Sequence, residues 1–293
     1  MNRSEGRIAV DEKIGVVGAG LMGAEIALVF ALAGHDVLLN DRDEASLERA
    51  LARLRTLMEK GRERGAYAAE QVEPSLQRIR PTVDLAAFAD RDVVTEAVFE
   101  RIDIKAEVLG ALAKICAEDC VIASNTSTIP ISTLAAQLPA ERRGRFIGTH
   151  FFSPVSRMKL VEVIPGFETT DATVESTMEL MTRIGKTPIR VKDVAGFAVN
   201  RMLHMFIIEA VKLVEEGVAT PEDLDTACRL GLGHPIGPFA LMDAVTSSLC
   251  VQAQEIMQEA YGERFRPPPL LKQRVNAGFV GGKGKPGWIK PPA

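Results

Sequence analysis

Aromatic side chains make up only 5% of this 293-residue chain, with a single Trp and two Tyr. The core must therefore be built mainly from Ala, Val, Leu, Ile and Met. Cysteine is as scarce: Cys116, Cys120, Cys228 and Cys250 are the whole set. Three residues separate Cys116 from Cys120, but no second pair and no His cluster completes a tetrahedral zinc site. No metal is expected, and the four read as free buried thiols of a reducing compartment. An excess of positive charge is also missing: 35 Lys and Arg face 39 Asp and Glu, for a net charge of −4. That disfavours a sequence-independent grip on nucleic acid, which needs a basic face. It leaves room for a local basic patch that holds one phosphorylated ligand. Charges interrupt every apolar run well short of the roughly 20 residues that cross a membrane. The polar stretch Met1 to Glu12 lacks the apolar segment of a secretory signal. A cytoplasmic enzyme with no membrane partner is expected.

What is present is a regular alternation. Lys13 to Val17, Val37 to Asn40, Asp92 to Thr95, Cys120 to Ala123, Arg145 to Thr149 and Leu160 to Ile164 read as strands. Helical patterns lie over Leu21 to Ala33, Asp43 to about Gly65, Ile102 to Ala117 and Ala172 to Ile184. Strands and helices that alternate in this way predict an α/β domain, a doubly wound parallel sheet with helices on both faces. The character changes near Asp193. Residues 196–217 are apolar almost all round, which predicts a helix covered on most sides. Thr220-Pro221-Glu222-Asp223 is a helix start, with Thr as cap, Pro in the first turn and acids behind it. A Gly/Pro turn from Gly231 to Pro238 and one more helix to about Tyr261 follow, and Gly281 to Ala293 reads as a mobile tail. The expectation is a dinucleotide-binding domain over 1–192 and an all-helical domain over 193–293.

Three groups of residues carry chemistry. Gly18-Ala19-Gly20-Leu21-Met22-Gly23 follows a strand and opens a helix. The first glycine permits the tight turn, the second lets a pyrophosphate approach the backbone, and the third lets strand and helix pack closely. The free N–H groups of the helix start then face the phosphates. Asp41 lies just past the second strand. An acid there accepts bonds from the adenosine ribose hydroxyls and repels a 2′-phosphate, which points to NAD as the cofactor. His150 and Glu162 are polar residues where the pattern calls for apolar ones. His150 closes a strand at the edge where open α/β sheets bind ligands. Glu162 interrupts Leu160-Val161-Val163-Ile164, at a cost unless it is paired. An imidazole partner would satisfy it and orient a general base. Singly, His150 reads as a satisfied core histidine and Glu162 as an outward-facing residue of an edge strand. Ser124-Asn125-Thr126-Ser127 can line a polar pocket or simply form a turn and helix cap. Asn200 is a polar residue at the start of the apolar helix.

In this order the motifs resemble the 3-hydroxyacyl-CoA dehydrogenase family. The matching stretches are KIGVVGAGLMGAEIA (13–27), VVTEAVFERIDIKAEV (93–108), ASNTSTIPIS (123–132), GTHFFSPVSRMKLVEVI (148–164), VAGFAVNRML (194–203) and GLGHPIGPFALMD (231–243). The resemblance implies a Rossmann-like domain followed by a helical domain that forms a homodimer. It implies the NAD-dependent oxidation of a (3S)-3-hydroxyacyl-CoA to the 3-oxoacyl-CoA. By motif, His150 becomes the general base and Glu162 its orienting acid. Ser127 and Asn200 contact the substrate near its reacting oxygen or thioester, and Ser153 lines the same site. Glu100 and Lys105 lie by the nicotinamide ribose, beside Gly18, Gly20, Leu21, Met22, Gly23 and Asp41. The helical stretch with Arg53, Arg55, Lys60, Arg62 and Arg64 is either a cradle for CoA phosphates or a solvated charged face.

Three departures stand out. The family often has Asn where Ser153 follows the two phenylalanines. It often reads L-D-x-V-G-x-D-T where this chain has Asp243-Ala244-Val245-Thr246-Ser247-Ser248, without that Gly and the second Asp. The tail often carries a GFY element where this chain has Gly287-Trp288-Ile289. The alternative reading is a related NAD-dependent dehydrogenase for a hydroxy acid that lacks CoA, of the sugar-acid or carnitine type.

Overall fold

A computed structural model describes residues 12–289. The polar leader before Glu12 and residues 290–293 of the tail lie outside the described residues. The contacts divide the chain between Asp193 and Val194.

The first unit runs β1 (Lys13–Val17), α1 (Leu21–Ala33), β2 (Asp36–Asn40), α2 (Glu44–Glu63), α3 (Ala69–Gln77), β3 (Ile79–Thr82), β4 (Val93–Glu96), α4 (Ile102–Ile115), β5 (Val121–Ser124), α5 (Ile131–Ala135), α6 (Ala140–Arg143), β6 (Phe146–Phe151), β7 (Leu160–Pro165), α7 (Asp171–Arg183) and β8 (Thr187–Arg190). The eight strands make one sheet in the order β3-β2-β1-β4-β5-β6-β7-β8. The order reverses between β1 and β4, which opens the crevice where such sheets bind ligands. The core is aliphatic, as the shortage of aromatics requires: Ile14, Val16, Ile26, Leu28, Val37, Leu39, Val161 and Val163 are all fully buried. α2 starts because the Asp43 carboxylate accepts the Ser46 N–H at 2.7 Å, a standard side-chain cap.

Two features differ from the sequence expectation, and both have a physical reason. The sheet is parallel except at β6 and β7, which pair antiparallel. Only residues 152–159 connect them, too few for the crossover of a dozen or more residues that parallel neighbours need. The sequence pattern also misses β3 and β8, the two edge strands. Each carries a proline, Pro81 and Pro188. Proline cannot donate to a ladder, is confined to edges, and hides a strand from a pattern-based reading.

The second unit holds α8 (Val199–Glu215), α9 (Pro221–Gly231), α10 (Pro238–Val245), α11 (Ser247–Tyr261) and α12 (Pro269–Asn276). α8 begins later than expected, because Gly196 and Phe197 both have positive φ, 72° and 47°. Its covered face is His204, Ile207, Ile208, Ala210 and Val211, while Met202 and Met205 on the same helix remain exposed. The helix is therefore not covered on most sides. Thr220 caps α9 as expected, accepting the Asp223 N–H at 3.1 Å. Among the described residues no helix is long and apolar enough to cross a membrane.

The expected mobile tail is instead docked as far as Ile289. Trp288 is buried with Phe239, Met242, Cys250 and Leu271. Asp243 accepts the N–H groups of Trp288 and Ile289, both at 2.9 Å. The single helix expected up to Tyr261 is broken in two at Thr246, which stands at φ 84° and caps α11. This is the position where the resembled motif has Gly. A β-branched residue in the left-handed region carries roughly 1–2 kcal/mol of strain. Thr246→Gly removes that strain and adds some unfolded-state entropy, so stability should rise by about 0.5–1 kcal/mol. Urea midpoints of the two proteins check this, and an unchanged or lower midpoint would show that the cap outweighs the strain.

Candidate active site

The site is built on one row of the sheet. Asn40 pairs with Val17, Val17 with Glu96, Glu96 with Ser124, and Ser124 with Gly148. These residues end β2, β1, β4 and β5, or lie two before His150 in β6. The residues expected from this unit's glycine loop, its Ser127 turn and its His150 strand all lie at or just beyond this row, on the C-terminal edge.

Beyond Val17 comes the glycine loop. Gly18 has φ 101°, and a Cβ there would lie 2.6 Å from the Ala97 carbonyl oxygen. A Cβ on Gly23 would lie 1.8 Å from the Gly18 carbonyl oxygen. Both positions therefore exclude any side chain. Gly20 is the opposite case: a Cβ there would meet nothing within 4 Å. Gly20 caps α1 without a side-chain bond, and no acid sits in the first turn. The N–H groups of Leu21, Met22 and Gly23 are thus offered to an incoming anion over an open approach. Residues of this kind fit the pyrophosphate of a dinucleotide. Asp41 flanks the loop and accepts the Ala19 N–H at 2.7 Å and the Arg42 N–H at 2.8 Å. That fixes its carboxylate beside the phosphate-binding turn, where a ribose would lie.

On β6 and β7 the antiparallel register sets His150 directly opposite Glu162. Directly opposed residues share a sheet face, with Cβ atoms about 4.5–5.5 Å apart. The Nδ1 atom of His150 is 2.8 Å from Oε2 of Glu162. Glu162 is fully buried and His150 is 5% exposed. An ionised carboxylate can only accept, so the proton of this bond sits on Nδ1, which makes Nε2 the basic nitrogen of the neutral ring. Phe152 packs on the imidazole with ring centroids 4.5 Å apart.

Between these two parts lies the turn after β5. Glu100 organises it through a single oxygen, Oε1. That atom accepts the N–H groups of Ser127 and Thr128, each at 2.8 Å, and the hydroxyls of Thr126 at 2.7 Å and Thr128 at 2.9 Å. The Ser127 hydroxyl is 3.3 Å from the same oxygen. Asn125 ties the turn to β6 by accepting the Phe151 N–H at 2.9 Å. Lys105, expected beside the nicotinamide ribose, is buried with its ammonium 2.7 Å from Glu96 and 3.4 Å from Glu100. Ser153 is exposed on the turn after His150. Asn200 lies on the first turn of α8, in the second unit.

The basic stretch on α2 is partly committed. Arg53 donates to the Ala19 carbonyl oxygen at 2.9 Å, and Arg55 pairs with Glu73 at 2.8 Å. For Lys60, Arg62 and Arg64 no salt bridge is present among the described residues, and Arg64 is exposed at the end of the helix.

Sequence reasoning missed Glu96 and Asp193, and named Asn125 only as one of a polar run. Glu96 is an acid that closes an apolar strand, but it fell one residue past the assigned end. Asp193 accepts the N–H groups of Ile131 and Ser132 at 2.7 Å and so caps α5, a contact across some sixty residues that local pattern does not carry.

Burial works to raise the Glu100 carboxyl, but the Lys105 ammonium and the bonds from Thr126, Thr128 and Ser127 outweigh it and hold the group below its ordinary range. The folded chain therefore binds this proton more weakly than the unfolded chain, whose Glu titrates near about 4.3. The stabilisation is present above that value and is lost as pH falls through the folded one. Urea midpoints should show a gap between the wild type and Glu100→Gln that is constant above about pH 5 and narrows below about pH 4. A gap independent of pH would mean that the charge of Glu100 contributes nothing.

Two family models match the chain: the NAD binding domain of 3-hydroxyacyl-CoA dehydrogenase over residues 13–194 and the C-terminal domain of the same family over residues 196–291. A probable 3-hydroxybutyryl-CoA dehydrogenase of Deinococcus radiodurans is 40% identical, over 95% of this chain and 99% of its own length. The mitochondrial hydroxyacyl-coenzyme A dehydrogenase of Homo sapiens is 39% identical, over 94% of this chain and 90% of its own. The crystal structure of (S)-3-hydroxybutyryl-CoA dehydrogenase from Ralstonia eutropha superposes with a TM-score of 0.90 at 35% identity, covering 96% of this chain and 99% of that one. With the glycine loop, Asp41 and two domain matches in sequence order, this chain belongs to the 3-hydroxyacyl-CoA dehydrogenase family and is an NAD-dependent dehydrogenase.

Proposed function

We propose that the protein interconverts (3S)-3-hydroxyacyl-CoA and 3-oxoacyl-CoA thioesters, with His150 as the general base. The observation that carries this is the 2.8 Å contact between His150 Nδ1 and buried Glu162, at the sheet edge that also holds the dinucleotide loop. The bound nicotinamide supplies the hydride acceptor. The chain's own residues do the rest. In the oxidation, His150 takes the 3-hydroxyl proton on Nε2. Glu162 fixes the ring and stabilises the imidazolium as it forms, where its charge is worth most. In the reverse direction the imidazolium returns that proton to the new alkoxide. Ser127, held by Glu100, donates to the reacting oxygen, and Ser153 and Asn200 contact the substrate. Lys60, Arg62 and Arg64 take the CoA phosphates. Asp41 bonds the ribose hydroxyls and repels the extra phosphate of NADP. The CoA substrate is preferred over a hydroxy acid without CoA because relatives 37% and 40% identical are named for CoA thioesters.

Oxidation of NADH with acetoacetyl-CoA and with longer 3-oxoacyl-CoA substrates tests this reading. The wild type should turn over. His150→Gln should lower kcat by about 10²- to 10⁴-fold, the usual worth of a positioned general base. Glu162→Gln should lower kcat far more than it raises KM, and the double variant should be little worse than His150→Gln alone. If the pair were only a buried ion pair, each single variant would lose stability while turnover per folded molecule survived. Near-normal single turnover in a destabilised His150→Gln protein overturns the assignment.

The helical unit is proposed to form a homodimer. Met202 is 67% and Met205 39% exposed on α8, an apolar surface that a second copy would cover. Light scattering at micromolar concentration should give twice the chain mass, and a monomer would refute it.

A further inference from the structure

We infer that Glu96 is a positioning residue for the reaction, acting through Lys105 and Glu100 on Ser127. The inference rests on the proposed role of Ser127 and extends it to a residue that no family motif role names.

Glu96 ends β4 and is fully buried, with a side chain that no ligand could reach directly. It still occupies the centre of the edge row, between Val17 and Ser124. Its backbone joins the two loops that flank it: Asn125 N–H donates to the Glu96 carbonyl oxygen at 2.8 Å, and the next residue, Ala97, donates to Val17 at 2.8 Å. Its carboxylate is saturated. Oε1 takes the Val98 N–H at 2.7 Å and the Lys105 ammonium at 2.7 Å, and Oε2 takes the Ser124 hydroxyl at 2.6 Å. A buried carboxylate with three donors is ionised and rigid.

The charge arrangement gives this rigidity a direction. Lys105 lies between two carboxylates, closer to Glu96 at 2.7 Å than to Glu100 at 3.4 Å. Glu96 therefore carries most of the ammonium's hydrogen bonding. Glu100 meets the ammonium through Oε2 and keeps Oε1 for the Ser127 and Thr128 N–H groups and the nearby hydroxyls. Without the Glu96 charge, the buried ammonium turns to Glu100, the other carboxylate it meets among the described residues. Glu100 then moves toward Lys105, and the 126–128 turn loses the oxygen on which four of its donors converge within 2.9 Å. Ser127 rides on that turn.

The test uses the full chain and five variants: Glu96→Gln, Lys105→Met, Ser127→Ala, Glu96→Gln/Lys105→Met and Glu96→Gln/Ser127→Ala. The melting temperature, the NADH dissociation constant by fluorescence, and kcat and KM for acetoacetyl-CoA are measured on the same samples. Glu96→Gln should lower kcat roughly 10- to 100-fold while the NADH constant stays within about threefold. Adding Ser127→Ala should cost little more, because Ser127 is already displaced. The charge-balanced double variant should recover the melting temperature but not kcat, and it carries the test if Glu96→Gln alone does not fold. A structural role would move stability with no loss of kcat per folded molecule, and it would leave the Glu96 and Ser127 effects additive. Either result overturns the inference, as does weakened NADH binding with normal kcat. A wild type that binds NADH but does not turn over acetoacetyl-CoA removes the proposed function and this inference with it. An active wild type with additive variants removes this inference alone.

Discussion

The antiparallel join between β6 and β7 is the constraint on which the site depends. Side chains alternate faces along a strand, so a slip of one residue would carry Glu162 to the opposite face from His150. The register holds because Val161 and Val163, on the face opposite Glu162, are fully buried. A slip would exchange valines for a carboxylate inside the core. The hydrophobic alternation of a short strand thus fixes the distance between an acid and an imidazole to 2.8 Å. The connection that makes the join antiparallel is too short for a helix. It carries Phe152, which packs on the ring, and the exposed Ser153. Beyond Ser153 the loop is tied down by Glu25 of α1, which accepts the Ser156 N–H at 3.0 Å. The same helix begins at the glycine loop, so the turn after His150 is referenced to the element that presents the phosphate-binding N–H groups.

Much of the first unit's most deeply buried charge is gathered in one place, with Arg91 buried at the opposite edge beside Asp36 and Asp90. Glu96, Lys105 and Glu162 are all essentially inaccessible, and all sit at the C-terminal edge of the sheet. Buried ion pairs add little to stability when compared with apolar side chains of similar volume. Their return here is geometric: each fixes a polar group whose orientation an aliphatic core could not specify. The opposite edge of the sheet shows the contrast. There the partly exposed pairs Arg80–Asp36 and Lys13–Asp90 join strand ends near the surface, where such contacts are worth a fraction of a kcal/mol up to about 1 kcal/mol.

Much of this was legible in the sequence, for identifiable reasons. Glycines 18, 20 and 23 declare themselves by spacing between a strand and a helix. Glu162 declares itself by breaking an apolar run, and the α1 helix was bounded to the residue. What stayed hidden shares a common cause: it depends on contacts between residues far apart in the chain. Proline in β3 and β8 masked two edge strands that exist because a neighbour offers its ladder. Lys105 is named only through the family motif, and its two carboxylates come to it only in the fold. Glu100 sits in a loop, and nothing local reveals that it gathers the donors of a turn some twenty-six residues later. The apolar pattern of 196–217 also misled, because it cannot separate residues covered within the unit from those left exposed, such as Met202 and Met205.

The departures from the family motifs follow the same logic once the second unit is seen. A tryptophan in place of the phenylalanine of the GFY element brings an indole N–H into an apolar core, where an unpaired donor costs roughly 1–3 kcal/mol. Trp288 solves this with Ser247, whose fully buried hydroxyl lies 3.0 Å from the indole nitrogen. Ser247 itself belongs to the divergent segment, one residue past Thr246. Asp243, the part of that segment that keeps to the motif, grips the tail through the N–H groups of Trp288 and Ile289, and Arg274 stacks over the indole with its guanidinium carbon 4.2 Å from the ring centre. The Trp288 departure and Ser247, separated by some forty residues in the chain, meet in space: a larger aromatic with a polar edge, and a hydroxyl placed to receive it. Trp288 packs in the second unit's core with Phe239 and Met242. The first unit carries its own departure, Ser153 in place of the Asn often found there, on the turn after His150.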